Sequence, residues 1–155
     1  MKAMILKQLC DLNQDRSLLE RVEFPYPSCK EDEVVVEVAT CGVCRTELDE
    51  IEGRTPPSFF PMILGHEIVG RVVEKGSHVQ KLKIGDRVGI AWIHSSCGKC
   101  SFCHEGRENL CAEFKATGRD AYGGYAEYTV VRENFAFPIP FEFSDEEAAP
   151  LLCAG

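Results

Sequence analysis

A mainly β fold with short helices, an antiparallel barrel or sandwich, is the class this sequence predicts. Three observations carry it. Short apolar runs recur between glycine and proline turns, no strand–helix–strand alternation sets in, and no G-x-G-x-x-G follows a strand and opens a helix anywhere in the 155 residues. Hydrophobic residues at 45% and charged ones at 27% are the balance of one globular domain rather than of a disordered chain.

The elements follow in order. Residues 1–7 open with an apolar stretch, and 18–24 (LLERVEF) form another, after which Pro25 and Pro27 break the chain. Glu33–Thr40 (EVVVEVAT) alternates valine in the manner of a half-buried strand. Cys44–Glu52 lacks glycine and proline and is followed by Gly53, so a short helix is predicted there. The three prolines of residues 55–61 (TPPSFFP) make that segment a loop. Gly65–Glu74 (GHEIVGRVVE) resumes strand character, and Gly85–Asp86 turns into the apolar run Arg87–Ile93. Residues 94–120 mix cysteine, glycine and charge without period, an excursion that needs a staple. Tyr125–Val131 (YAEYTVV) returns to alternation. Ser144–Leu152 then carries a capping box, Ser144 with Glu147 three residues on, and Asp145 and Glu146 in the first turn.

Charge excludes some partners. Seventeen Lys and Arg against 25 Asp and Glu give a net −8, which disfavours a nucleic-acid backbone as partner. No run approaches the roughly 18 apolar residues of a membrane helix. The amino terminus turns polar after Leu6, too early for a secretion-signal core. Nine cysteines, an odd number without such a leader, point to reduced thiols in the cytoplasm, some of them holding metal.

Cys97, Cys100, Cys103 and Cys111 form C-x2-C-x2-C-x7-C inside the irregular 94–120 lobe. Four thiolates at this spacing suit one tetrahedral zinc; Gly98 permits the tight turn and Lys99 offsets part of the negative charge. With all four positions filled, such a zinc is structural. Four unrelated reduced cysteines are the plain alternative. An iron–sulfur cluster is the closer rival, but ferredoxin runs continue with three residues and Cys-Pro, whereas here seven intervene and Ala112 follows. Cys44, His66 with Glu67, and Cys153 are scattered candidates for a second site. Two Cys and one His would leave a position open, the pattern of a catalytic zinc, yet spacing alone cannot pair dispersed ligands, and on bare sequence each reads first as an ordinary core cysteine or surface histidine.

The stretch Gly65-His66-Glu67-Ile68-Val69-Gly70, with Gly76 and Val79, resembles the signature of the zinc-containing alcohol dehydrogenases of the medium-chain family, in their bacterial form. Four further matches run in the same order: Cys41-Gly42-Val43-Cys44-Arg45-Thr46, Gly85-Asp86-Arg87-Val88, Cys97-Gly98-Lys99-Cys100 and Ala148–Gly155. The resemblance implies a GroES-like β-barrel over residues 1–155 with a zinc-stapled lobe. It implies two zinc ions per chain, the catalytic one held by Cys44, His66 and Cys153 with Glu67 beside it or replacing its water. It also implies that Thr46 starts the proton relay and touches the cofactor side, that Arg45 meets the pyrophosphate of NAD or NADP, and that Trp92 lines the substrate pocket. Two positions depart from the pattern. Glu47 stands where an Asp usually orients the zinc-bound histidine, and its extra methylene is expected to move that hydrogen bond. Asp49 replaces a relay histidine and, with an ordinary pKa near 3.9, is poorly matched to shuttling protons near pH 7, so solvent is expected to take the proton.

Cys10, Cys29 and Cys41 are expected to be buried thiols, and His78, His94 and His104 solvent-facing or at a pocket edge. In the resembled family a nicotinamide-binding Rossmann domain follows, and the resemblance implies a homo-oligomer for the longer enzyme. The expected function is therefore the catalytic domain of an NAD(P)-linked dehydrogenase interconverting small alcohols with aldehydes or ketones, inactive without its cofactor domain. The alternative is a non-enzymatic zinc-stapled domain that binds a partner chain; a zinc-free quinone reductase relative is disfavoured because those lack the thiolate ligands.

Overall fold

The computed structural model describes residues 1–14 and 17–154; Gly155, which ends the last of the five matching stretches, lies outside the described residues. In chain order the elements are β1 (Lys2–Leu6), β2 (Glu20–Glu23), β3 (Glu33–Cys41), α1 (Arg45–Ile51), β4 (Met62–Ile63), β5 (Ile68–Lys75) and β6 (Arg87–Ile90). They continue with β7 (Ile93–Ser95), α2 (Ser101–His104), β8 (Lys115–Ala116), β9 (Tyr128–Arg132), β10 (Ala136–Pro138) and α3 (Asp145–Leu151). Every named strand pair is antiparallel.

A five-stranded sheet in the order β10-β6-β5-β3-β9 forms the body, and a three-stranded sheet β2-β1-β4 closes against it. The seam is made by the residues just before β9: Ala126 bridges Ala3, and Met4 N–H donates to Tyr125 O at 2.8 Å. The core between the strands is aliphatic, built on Val34, Val36, Ile68, Val72, Val88, Ile90 and Val131. β-branched side chains suit this pleated surface. The sheet is curled by irregularities where β3 meets β5, between Val35 and Val36 and between Val38 and Thr40.

Several boundaries differ from the sequence expectation, each for a local reason. β3 is not half-buried along its length: Val34, Val35 and Val36 are all fully buried, so both faces are covered there. The strand expected from Gly65 begins only at Ile68. Gly65 adopts φ +96° and packs against Tyr125 and Cys41, which turns His66 and Glu67 out of the ladder. The run Arg87–Ile93 is cut at Ala91 and Trp92, whose carbonyls accept from Thr117 Oγ1 at 2.8 Å and Thr117 N–H at 2.9 Å; β7 beyond the cut leaves the main sheet to pair with β8. Tyr125–Glu127 likewise belongs to the seam rather than to β9.

The helix signals carry over closely. Cys44 is the N-cap of α1 and Gly53, at φ +80°, follows its end. In α3 the Ser144 hydroxyl accepts from Glu147 N–H at 3.2 Å while the Glu147 carboxylate accepts from Ser144 N–H at 2.9 Å. Ala148 and Ala149 lay α3 on Val69 of β5. No helix of the described residues is long and apolar enough to cross a membrane.

One close approach tests the sheet. A Cβ on Gly70 would stand 2.2 Å from Glu37 O of the neighbouring strand. Gly70→Ala is expected to cost about 1–3 kcal/mol through the forced backbone shift, read as a lower urea midpoint with an unchanged slope. An unaltered midpoint would contradict the packing of β3 on β5.

Candidate metal centre

Three segments far apart in sequence meet at one place. Cys44 enters as the N-cap of α1, His66 and Glu67 come from the turn before β5, and Cys153 follows the last turn of α3. One ligand atom from each of Cys44, His66, Glu67 and Cys153 lies within 4.8 Å of all the others. The Cys44 and Cys153 sulfurs are 3.8 Å apart, the separation of about 3.8 Å that two thiolates take on one tetrahedral zinc with Zn–S near 2.3 Å.

His66 is fully buried, and neither of its ring nitrogens makes a hydrogen bond among the described residues. A buried ring nitrogen left unpaired is costly, and one facing two sulfurs and a carboxylate has the surroundings of a metal ligand. Of the two, Nδ1 stands 2.7 Å from Glu47 Oε1, close enough for an ion pair though outside hydrogen-bond geometry. Glu47 is itself buried, and its Oε2 accepts from Cys44 N–H at 2.7 Å. The extra methylene thus does not break the contact to the histidine; it lets one carboxylate reach both the ring and the start of α1. Burial works against charging His66, but the Glu47 carboxylate overrides it and raises the ring's pKa. Burial also opposes ionisation of Cys44, yet the Thr46 backbone and hydroxyl and the Cys153 thiol lower its pKa. Burial and the Cys44 sulfur push Cys153 up to about 11.

The neighbouring residues divide into near and far. Thr46 Oγ1 lies 3.6 Å from Cys44 Sγ, beside the cluster. Trp92 meets His66 edge-on, ring centroids 5.3 Å apart. Asp49 is turned away: it accepts from Arg54 Nε at 2.9 Å, lies 3.4 Å from Arg45 Nε, and the Arg54 guanidinium holds its carboxyl below the usual range. Arg45 is exposed at the head of α1. Glu50 gave no sequence signal beyond its place in a helix; it is fully buried with neither carboxylate oxygen hydrogen-bonded, and burial together with Glu47 pushes it up to about 8. Cys41 stays outside the cluster, packed on the aliphatic core and pushed up by burial to about 12. His94 is held by the Val130 carbonyl at 3.2 Å rather than facing solvent, whereas His78 and His104 are exposed.

In the second cluster the Sγ atoms of Cys97, Cys100, Cys103 and Cys111 again lie within 4.8 Å of one another. Cys97 and Cys103 are 3.8 Å apart, Cys100 and Cys103 3.5 Å. Cys111 Sγ accepts from the Cys97 and Glu113 N–H groups at 3.5 and 3.3 Å, and the Ser96 hydroxyl beside Cys103 is the chief cause that lowers that thiol to about 6. Cys29, Cys41, Cys44, Cys97, Cys100, Cys103, Cys111 and Cys153 are free thiols. Around this lobe only short pieces of regular structure form: α2, a 3-10 turn at Glu108–Leu110, and the β7–β8 pair.

Comparison with known proteins gives a consistent result. The alcohol dehydrogenase GroES-like domain family matches residues 30–141. "Probable alcohol dehydrogenase AdhA" of Mycobacterium tuberculosis is 49% identical over 146 residues, 91% of this chain and 42% of that protein. An alcohol dehydrogenase of Geobacillus stearothermophilus is 42% identical over 145 residues, 93% of this chain and 43% of its own length. Among solved structures, a cobalt- and zinc-bound thermostable alcohol dehydrogenase from Pyrobaculum aerophilum superposes with a TM-score of 0.85 at 30% identity, covering 97% of this chain and 44% of that one. The chain thus spans less than half the length of these relatives.

Glu47→Ala tests the bridge. It removes the partner of His66 Nδ1 and of Cys44 N–H together, so affinity for cobalt, followed by its visible absorption, is expected to fall about 10–100-fold. Unchanged affinity would show that the bridge does not orient the histidine.

Proposed function

We propose that this chain, which belongs to the alcohol dehydrogenase GroES-like domain family, is the catalytic domain of a zinc-dependent, NAD(P)-linked dehydrogenase acting on small alcohols and their aldehydes or ketones. The observation that carries the reading is the convergence of Cys44, His66, Glu67 and Cys153 around an unpartnered His66 Nε2. Cys44, His66 and Cys153 would hold the catalytic zinc, and Glu67 would stand beside it as an alternative ligand. When bound, zinc would supply Lewis acidity toward the C–O group of the substrate.

This chain's own residues do the rest. Thr46, with a hydroxyl that both donates and accepts, receives the alcohol proton. Asp49, held ionised by Arg54, is a poor acceptor at neutral pH, which supports release of that proton to solvent. Trp92 walls the pocket against His66. Arg45, exposed at the head of α1 and 3.4 Å from Asp49, would turn its guanidinium to the cofactor's pyrophosphate. Cys97, Cys100, Cys103 and Cys111 would hold a second, structural zinc that fixes a lobe with little regular structure of its own. Free thiols at both cysteine clusters support a reducing, cytoplasmic setting.

The alternative, a zinc-stapled domain that only binds a partner chain, draws support from apolar side chains left exposed near α3, among them Phe141 at 95% and Leu151 at 51%. Metal content separates the two. Two zinc ions per chain are expected, falling to one in Cys153→Ser and to one in Cys97→Ser; a single ion that only the Cys97 change removes would leave the binding domain alone.

Hydride transfer needs the nicotinamide within about 3–3.5 Å of the reacting carbon. The polypeptide of these 155 residues is therefore expected to show no NAD-linked turnover of ethanol on its own, and a steady rate from protein free of host dehydrogenase would overturn that.

A further inference from the structure

Besides His66, Trp92 has a second neighbour, and this one is a fixed cation. The Arg119 guanidinium lies over its ring, Cζ 5.3 Å from the centroid, and 5.8 Å from the centroid of Phe114. Two steps of 5.3 Å, imidazole to indole and indole to guanidinium, therefore join the metal-ligand cluster to a fixed cation.

The guanidinium is held in place from one edge. Its Nε and Nη2 donate to Asp120 Oδ2 at 3.1 and 2.7 Å. Asp120 also accepts from Ala116 N–H at 2.8 Å and from the Ser58 hydroxyl, so its charge is shared among three donors. The Arg119 side chain is 27% exposed, and among the described residues its Nη1 makes no hydrogen bond. A pre-positioned, half-desolvated guanidinium with donors to spare is a strong site for an anionic oxygen. Stacking on Trp92 alone would need neither Asp120 nor its two further anchors.

We propose that Arg119 is a specificity-determining residue that binds an anionic oxygen group, a carboxylate or a phosphate, carried by the substrate at the end away from its reacting carbon. The inference rests on the catalytic reading of the Cys44–His66–Cys153 cluster. It makes the preferred substrates hydroxy acids, oxo acids or phosphorylated alcohols rather than plain hydrocarbons with one oxygen. A site built to bond such a group discriminates against analogues lacking it far more sharply than an apolar wall does.

Trp92 is the only tryptophan of the chain, so its emission reports on this pocket alone. The cobalt-loaded chain, its metal content measured first, is titrated with 6-hydroxyhexanoate, glycerol 3-phosphate and 1-hexanol. At least one of the two anions is expected to bind tenfold or more tighter than 1-hexanol, and which one does tells carboxylate from phosphate. Arg119→Met is expected to abolish the preference, while Arg119→Lys, which keeps the charge, retains part of it and serves if the Met variant does not fold. Equal affinities in the wild type, no response to any of the three, or a preference that survives in Arg119→Met overturns the proposal. A chain that takes up metal at the four-cysteine lobe alone defeats the catalytic reading and this inference together. One that loads both sites without an Arg119-dependent preference defeats the inference only.

Discussion

One buried carboxylate organises the centre of this molecule. Glu47 is 2% exposed and spends its two oxygens on two partners, His66 Nδ1 and Cys44 N–H, each at 2.7 Å. The first contact holds the imidazole against the carboxylate beside the sulfurs; the second ties the head of α1, and with it the Cys44 thiol, to the same point. The ring that Glu47 orients is in turn the surface on which Trp92 packs, and Trp92 is the surface under Arg119. Position is thus handed along a short series of contacts, from a helix terminus to the Arg119 guanidinium.

The fold was legible where local chemistry dictates local structure. Ser144 and Glu147 announce α3 because their mutual hydrogen bonds need only three residues of helix, and Gly53 marks the end of α1 because it takes φ +80° there. Valine alternation located β3 but misjudged its burial, since periodicity describes one face and cannot see what the rest of the chain lays on the other. Gly65–Glu67 and Trp92 escaped for a related reason. Hydrogen bonds from partners outside their own stretch, Gly42 N–H to Glu67 O at 2.9 Å and Thr117 N–H to Trp92 O at 2.9 Å, decide that these residues leave their strands.

The two cysteine clusters show the same division. Cys97 to Cys111 could be grouped from spacing, because four thiols within fifteen residues have few other ways to be satisfied. Cys44, His66 and Cys153 could be grouped only through the resemblance: the turn at Gly65 and the end of α3 are encoded beside His66 and Cys153, but it takes the stacking of α3 on β5 to bring them together. Arg119 and Glu50 left no mark at all in the sequence. An arginine beside an aspartate reads as an ordinary surface pair, and a glutamate inside a helix as a solvated one, until the tertiary structure shows what each lies against.

The distance between Cys44 and Cys153 along the chain, 109 residues, sets a schedule. A polypeptide leaving the ribosome completes the four-thiol set at Cys111, but the dispersed set stays one donor short until Cys153 has emerged. At synthesis rates of about 5–20 residues per second the interval is several seconds. The lobe is thus ready for an ion while the barrel still waits for its final helix, and an ion closing the later set would clasp both ends of the domain across a loop of more than a hundred residues.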